Sequence, residues 1–403
     1  MTETTPGLRR VSRPDPKATA SDADLVARIR AEINRDGPMT FARFMSLALY
    51  DPAAGYYRTG AGGPGRQGDF LTAPETHPIF GWALARQIDD LWRVLGEPAS
   101  FVVREHGAGA GALALATLDG LRRSGSPLLE SITWQLVDVD PGRLELAHRR
   151  ADEAGLADRL AEADERPIVG CVLANELLDA LPVHRLVMRG GSLREVLVTW
   201  KDGGGGGFVD VEAEPSTPAL AERLAAENVD LADGQRAEVC LELDGWIAAA
   251  AAGLAGGVVL IVDYGHPAPE LYDPRRRRDG TLRAYVGQAV HDDPYRSVGR
   301  QDLTAHVDFS AVERAAVAAG LEPLGAVYQA EFLAALEAGE LLRGMQDEPN
   351  VSLQDYLEAR ASLGRMVDPA AMGRFRVVAF GRGLRRGTRL RGFATRGLPF
   401  RQD

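Results

Sequence analysis

FVVREHGAGAG, residues 101–111, passes from an apolar run through a glutamate into glycines at alternate positions, Gly107, Gly109 and Gly111. A strand that ends in such a loop and feeds a helix leaves backbone N–H groups unpaired at the helix N-terminus, where an anionic group can settle. Residues 112–123 supply the helix, with apolar residues at helical spacing.

The same alternation continues downstream. Residues 101–104, 134–137, 168–173 and 258–262 are short, β-rich apolar runs, and helical patterns fill the stretches 112–123, 142–154 and 216–228. Strands alternating with helices predict an α/β fold with a mostly parallel sheet covered by helices on both faces. One interruption, LREVLVTW (193–200), KDGGGGG (201–207) and FVDVEAE (208–214), alternates apolar and polar residues around glycines and predicts an inserted β-hairpin.

Upstream, residues 24–34 predict a helix stopped by Asp36-Gly37-Pro38, and Thr40 caps a second helix over 41–49. Residues 50–75, YDPAAGYYRTGAGGPGRQGDFLTAPE, are crowded with glycine, proline and aromatics and predict a long loop. Toward the C-terminus Asp308 caps a helix over 309–319 that Gly320 ends; a strand at 324–328, two helices and a last strand at 375–380 follow.

From Gly107 the residues GAGAGA satisfy G-x-G-x-x-G/A, so the loop alone fits either a dinucleotide or S-adenosylmethionine. Glu105 tilts the choice to the second, because a carboxylate at the strand's end attracts a cationic ammonium and repels a pyrophosphate in a low-dielectric crevice. Spacing points the same way: Asp138 lies 31 residues beyond Gly107, where a dinucleotide fold expects its ribose-binding acid after about 20. Asp138 suits a ribose diol, with Asp140 as the competing acid, and Asp164 is a candidate acceptor for the adenine amino group.

ANELLDALPVH, residues 174–184, concentrates polar residues just past the strand IVGCVL. In an open parallel sheet ligands bind beyond the carboxyl ends of the strands, which places Asn175, Glu176 and Asp179 for function. Glu176 and Asp179 are three apart, so in a helical turn they would share one face and suit a cationic substrate. His184 is a candidate base or a structural histidine, and Asp263-Tyr264-Gly265 ends the later strand in the same crevice position.

Taken in order, several blocks resemble the MidA-like family of class I SAM-dependent methyltransferases. They are GDFLTAPE (68–75) with Phe80-Gly81, EHGAGAG (105–111), ANELLDALPVH (174–184), VDYGHP (262–267), GTLRAY (280–285), DLTAHVDFS (302–310) and MGRFRVV (372–378). The second strand departs, ending LVDVDP where the family tends to place glutamate, a spacer and serine-proline.

The resemblance implies a Rossmann-like class I methyltransferase fold, with S-adenosyl-L-methionine as cofactor. It implies methylation of a protein side chain, by analogy with mitochondrial relatives that assist assembly of respiratory complex I and act on an arginine of a complex I subunit. On that basis Glu105, Gly107, Gly109, Gly111, Asp138 and Asp164 contact the cofactor, Asp69 and Thr72 cover it as a lid, and Asn175, Glu176 and Asp179 are catalytic. The other readings are a non-catalytic assembly factor and, more remotely, an NAD-dependent oxidoreductase.

The expected organisation is a disordered tail over 1–22, N-terminal helices with a glycine-rich lid loop over 23–80 and a methyltransferase domain over 81–385. That domain carries insertions at about 185–245 and 331–366, and a basic tail spans 386–403.

Composition excludes several alternatives. The chain has 403 residues, 45% of them apolar, and a formal charge of −11, which repels phosphate backbones and anionic membranes and so argues against nucleic acid. Two cysteines, Cys171 and Cys240, leave no disulfide framework or cysteine-rich metal site and suit the cytoplasm. Residues 245–262, GWIAAAAAGLAGGVVLIV, are long enough to span a membrane, but the alanines and glycines predict a helix, a turn and a buried strand from Val258.

Overall fold

The computed structural model describes residues 9–10, 20–59, 77–203, 206–286 and 289–394. Asp69 and Thr72, with the rest of GDFLTAPE, lie outside the described residues. The chain divides into two compact units: residues 71–177, 246–264 and 313–403 form one, and residues 1–70, 178–245 and 265–312 form the other.

The first unit is built on a seven-stranded sheet. Its strands are β1 (Phe101–His106), β2 (Ile132–Val137), β3 (Leu160–Glu162), β4 (Ile168–Asn175), β5 (Leu254–Asp263), β6 (Glu322–Tyr328) and β7 (Arg376–Arg382). They lie in the order β6-β7-β5-β4-β1-β2-β3. The five strands from β1 to β5 pair in parallel, and β7 is inserted antiparallel between β5 and β6.

Cys171 to Ala174 and Val258 to Asp263 are buried without interruption, as strands covered on both faces require. This is the expected mostly parallel α/β architecture with one antiparallel strand near its edge.

The helix α1 (Ile79–Val94) packs along α2 (Ala112–Ser124). Gly81 makes the close approach possible, since a Cβ there would stand 2.4 Å from Ala116 Cβ. A third helix, α3 (Pro141–Glu153), follows β2 and is capped by Asp140, whose carboxylate accepts from Gly142 N at 2.9 Å.

Two expectations shift in detail. Gly253 turns the chain after the helix over Glu242–Ala252 as expected, but Gly256 and Gly257 do not: β5 already starts at Leu254, with a register irregularity between Leu254 and Gly256. Pairing with β4 on one side and β7 on the other overrides the glycines' weak strand propensity. Three helices, Gln329–Ala335, Ala338–Gly344 and Leu353–Val367, stand where two were expected, the first break falling at Glu337 with φ +55°.

The second unit collects the N-terminal helices Ala23–Asp36 and Phe41–Tyr50 with the sheet strands Arg236–Val239, His184–Arg189, Ser192–Lys201, Met39–Thr40 and Gly207–Ala213. The predicted hairpin is present, Ser192–Lys201 pairing antiparallel with Gly207–Ala213. Its core includes Leu25, Ile29, Phe41, Phe44, Tyr56, Val198 and Leu303. A second antiparallel set joins Arg283–Val286 to Ala289–His291 and Asp302–Thr304. No helix among the described residues is long and apolar enough to cross a membrane.

Gly81→Val should destabilise the first unit by about 1–3 kcal/mol through overpacking against Ala116, read as a lower urea midpoint at unchanged slope.

Candidate active site

In the seven-stranded sheet the connections reverse direction between β1 and β4, so a crevice opens at their carboxyl ends. Two chain segments line it. The loop after β1 holds Gly107, Gly109 and Gly111 at φ +70°, +53° and +73°, conformations that a side chain would strain. The end of β4 and the turn after it hold Asn175 and Glu176. A Cβ on Gly107 would come within 2.9 Å of Leu177 Cδ1, so the two segments touch.

Asp138, just past β2, braces the glycine loop. Its Oδ2 accepts from Gly109 N at 2.8 Å and its Oδ1 from Asp140 N at 2.9 Å. Each carboxylate oxygen keeps a further lone pair, enough for a vicinal diol. Asp140, the competing acid, is buried and occupied as the cap of α3. Val139 between them is 40% exposed, an apolar surface at the strand's end on which a flat ring could rest, and it carried no signal in the sequence beyond its neighbour Asp138.

Glu105 is only 4% exposed and accepts from Trp134 Nε1 at 2.8 Å. Burial pushes its carboxyl up to about 8, partly offset by the Trp134 bond, so near neutral pH it is held protonated. A cationic group beside it would restore the carboxylate. Asp164 lies past β3 on the surface, tied to Arg166 at backbone and guanidinium and 3.5 Å from Arg104 Nη2. Those arginines hold its carboxyl below the usual range, the Arg166 side chain first.

At the end of β4, Asn175 Nδ2 donates to Glu176 Oε1 at 3.3 Å, while the buried Oδ1 has no hydrogen-bond partner. Glu176 is held at φ +52°, a conformation that costs a non-glycine residue about 1–3 kcal/mol and concentrates at functional sites. Its N–H donates to Val262 O at 2.8 Å.

The next N–H, of Leu177, donates to Asp263 Oδ2 at 3.1 Å, and Asp263 Oδ1 accepts from Tyr264 N at 2.8 Å. Asp263 is fully buried and fixes the turn that presents Glu176. The sequence placed it at a strand's end but gave it no such task.

Glu176 and Asp179 do not share a helical face, because the short helical turn spans only Leu178–Ala180 and Glu176 precedes it in a left-handed conformation. The boundary between the units falls after Leu177, so Asp179 belongs to the second unit, buried, with its carbonyl accepting from Ala305 N at 2.9 Å.

A glycine loop clamped by an aspartate, a buried acid suited to a cation and an unpartnered amide oxygen at a β1/β4 switch point define a methyltransferase that uses S-adenosyl-L-methionine. The residues present could hold that cofactor: Asp138 would take its ribose, the glycine loop its methionine end and Glu105 its ammonium. Among the described residues no group of three or more candidate metal ligands occurs.

The chain belongs to the S-adenosyl-L-methionine-dependent methyltransferase family whose profile matches residues 83–327. It is similar to the mitochondrial protein arginine methyltransferase NDUFAF7 homolog of Drosophila melanogaster, at 29% identity over 90% of this chain and 86% of that one. The mitochondrial protein arginine methyltransferase NDUFAF7 of Mus musculus is 30% identical over 79% of this chain and 75% of that one.

A Burkholderia thailandensis protein crystallised with S-adenosyl-homocysteine superposes with a TM-score of 0.82 at 33% identity, covering 96% of this chain and 99% of that one. The expected fold, family and cofactor stand, and the dinucleotide reading is set aside.

Gly109 directs its missing Cβ into open space, with nothing within 4 Å. Gly109→Val should therefore cost about 1–2 kcal/mol of stability from its positive φ yet abolish binding of S-adenosylmethionine in calorimetry.

Glu105→Gln should weaken that binding by about 10- to 100-fold, the loss of a charge-assisted contact. Because the folded carboxyl sits near 8, above its unfolded value of 4.5, the free protein loses stability as pH rises from about 4.5 to 8. The Gln variant should lack this loss in thermal melts. At pH 7 wild type should release up to one proton on binding, in buffers of differing ionisation enthalpy, and the variant fewer.

Proposed function

We propose that the protein transfers a methyl group from S-adenosylmethionine to a guanidinium nitrogen of an arginine in a protein, a respiratory complex I subunit being the acceptor we favour. What carries this reading is the turn after β4, where the buried unpartnered oxygen of Asn175 and the strained Glu176 meet the cofactor loop. The names of the mitochondrial relatives support arginine, and the resemblance of the sequence blocks supports complex I.

The cofactor supplies an electrophilic methyl carbon that must be attacked in line, so much of the rate comes from positioning. A guanidinium delocalises its charge and holds its protons above about pH 12. Glu176 accepts N–H bonds from it, fixing its plane and drawing positive charge away from the attacking nitrogen, and Asp179 is a separate candidate for that task. Asn175 offers its free oxygen beside the cofactor's polarised groups.

Tyr50 and Tyr57 in the second unit stack at 5.6 Å and 23°, within the electrostatic reach of both Asp179 and Asp302. Tyr57 donates to Asp302 Oδ1 at 2.7 Å and Tyr50 to Ala180 O at 2.8 Å. Aromatic rings beside carboxylates favour a planar cation. We place the protein in the cytoplasm, a compartment supported by two thiols that form no disulfide, each pushed up to about 12 by burial.

Mass spectrometry of the host proteome with and without the gene should reveal a methylarginine that disappears; no change at any arginine would sink the reading. Asp179→Ala should lower turnover on that substrate by about 100-fold while leaving cofactor affinity within twofold.

A further inference from the structure

After Asp368 the chain carries no acidic residue until Asp403, yet it places nine arginines in between, in a molecule whose net charge is −11. Four of them precede a glycine: Arg382, Arg386, Arg391 and Arg396. The first three lie among the described residues of the parallel-sheet unit, and their surroundings differ.

Arg382, at the end of β7, donates to Ala251 O at 2.6 Å, Leu254 O at 3.2 Å and Ala319 O at 2.8 Å. Arg391 pairs with Glu337 at 2.8 Å, and its backbone N–H donates to Asp90 Oδ2 on α1 at 2.8 Å. Gly392 N donates to Gln87 Oε1 at 2.7 Å, and the Phe393 ring lies 5.6 Å from that of Phe332. The chain is thus pinned at both ends of the stretch 382–393.

Between the pins it makes a turn. Thr388 N donates to Arg385 O at 3.0 Å and Thr388 Oγ1 to the same oxygen at 2.6 Å, which puts Arg386 and Gly387 at the apex. Gly387 takes φ +79°, a conformation that favours glycine, and a Cβ there would meet nothing within 4 Å. Arg386 is exposed, and its guanidinium makes no hydrogen bond or ion pair among the described residues.

These differences decide which guanidinium can serve as a methyl acceptor. One already bonded to carbonyls or to a carboxylate must give those bonds up before it enters another site, whereas a free one gives up only water. Methylation keeps the positive charge but blocks bidentate hydrogen bonding, so it would disrupt the contacts of Arg382 and Arg391 and none at Arg386. The glycine beside Arg386 leaves the backbone uncovered for close approach to a crevice. Pins on either side hold the turn in one shape, which lowers the ordering cost of capture. An arginine stretch without acids is also drawn to the negative field of a second copy.

We propose that the protein methylates itself at Arg386, the crevice of one copy acting on the turn of another. The inference rests on the arginine reading above and names one substrate of that activity, an exposed arginine followed by glycine in an acid-free segment. The guanidinium nitrogen's lone pair forms the N–C bond, the S–C bond of S-adenosylmethionine breaks with its electrons left on sulfur, and one proton passes from the nitrogen to water.

The test incubates the full chain with methyl-labelled S-adenosylmethionine, alone and with extract from cells lacking the gene, and locates labelled arginines by mass spectrometry. The chain alone should carry label at Arg386 and none at Arg382 or Arg391. Arg386→Lys, which keeps the charge, should lose the self-label yet label extract arginines at the wild-type rate. The initial rate of self-labelling per chain should rise in proportion to protein concentration.

Extract arginines labelled while Arg386 stays unlabelled would overturn self-methylation and leave the arginine reading standing, as would a self-label that persists in Arg386→Lys. A rate per chain independent of concentration overturns transfer between copies. No labelled arginine in either sample defeats the arginine reading itself, and this inference with it.

Discussion

Asp263 is a fully buried carboxylate whose two oxygens accept from Leu177 N and Tyr264 N. Both residues are the last of their stretch before the chain passes into the other unit. A buried acid with unfilled oxygens would be expensive, so the chain gains by bringing both backbone donors to it. That requirement shapes the turn after β4: Leu177 is pulled to Asp263, Glu176 is forced to φ +52°, and Asn175 is left at the crevice with one oxygen unpaired. Strain at Glu176 is sustained because the bonds on either side of it leave no other conformation open.

The glycine loop answers a matching constraint from β2. Asp138 grips Gly109 N and Asp140 N together, so the loop and the start of α3 move as one piece. The donor face of the loop is thereby set before any ligand arrives, and preorganisation of this kind lowers the ordering cost of binding.

What the sequence made legible follows from local chemistry. The loop glycines need positive φ, and the strands before and after them are apolar runs buried on both faces, so EHGAGAG, ANELLDALP and the cores of the parallel strands could be placed from composition alone. Long-range pairing was not available in the same way. Nothing in residues 375–380 says that β7 inserts antiparallel between β5 and β6, or that Gly256 and Gly257 lie inside β5 because two neighbouring strands hold them there.

His184, whose Nδ1 lies 2.7 Å from Oε1 of the wholly buried Glu195, shows the intermediate case. The turn at Gly190 and Gly191 pairs Arg189 with Ser192 and Leu186 with Glu195, which leaves His184 diagonal to Glu195. That contact can be counted out from the turn once the pairing is known. Burial of Glu195 cannot, and burial is what turns a surface ion pair into a fixed tautomer.

Acids recur in both units, and charge gives a reason. A sulfonium cofactor and a guanidinium acceptor are both cations, and at about 4 Å with an effective dielectric near 20 they repel by about 4 kcal/mol. Left uncompensated, that repulsion would add directly to the barrier. The unit with the parallel sheet carries Glu105, Asp138 and Glu176, and the other carries Asp179, Asp302 and Glu242 around its stacked tyrosines.

The net charge of −11 extends the same bias to encounter, favouring basic segments of a partner over acidic ones. The second set, gathered around stacked tyrosines, fits a cationic acceptor better than a neutral one.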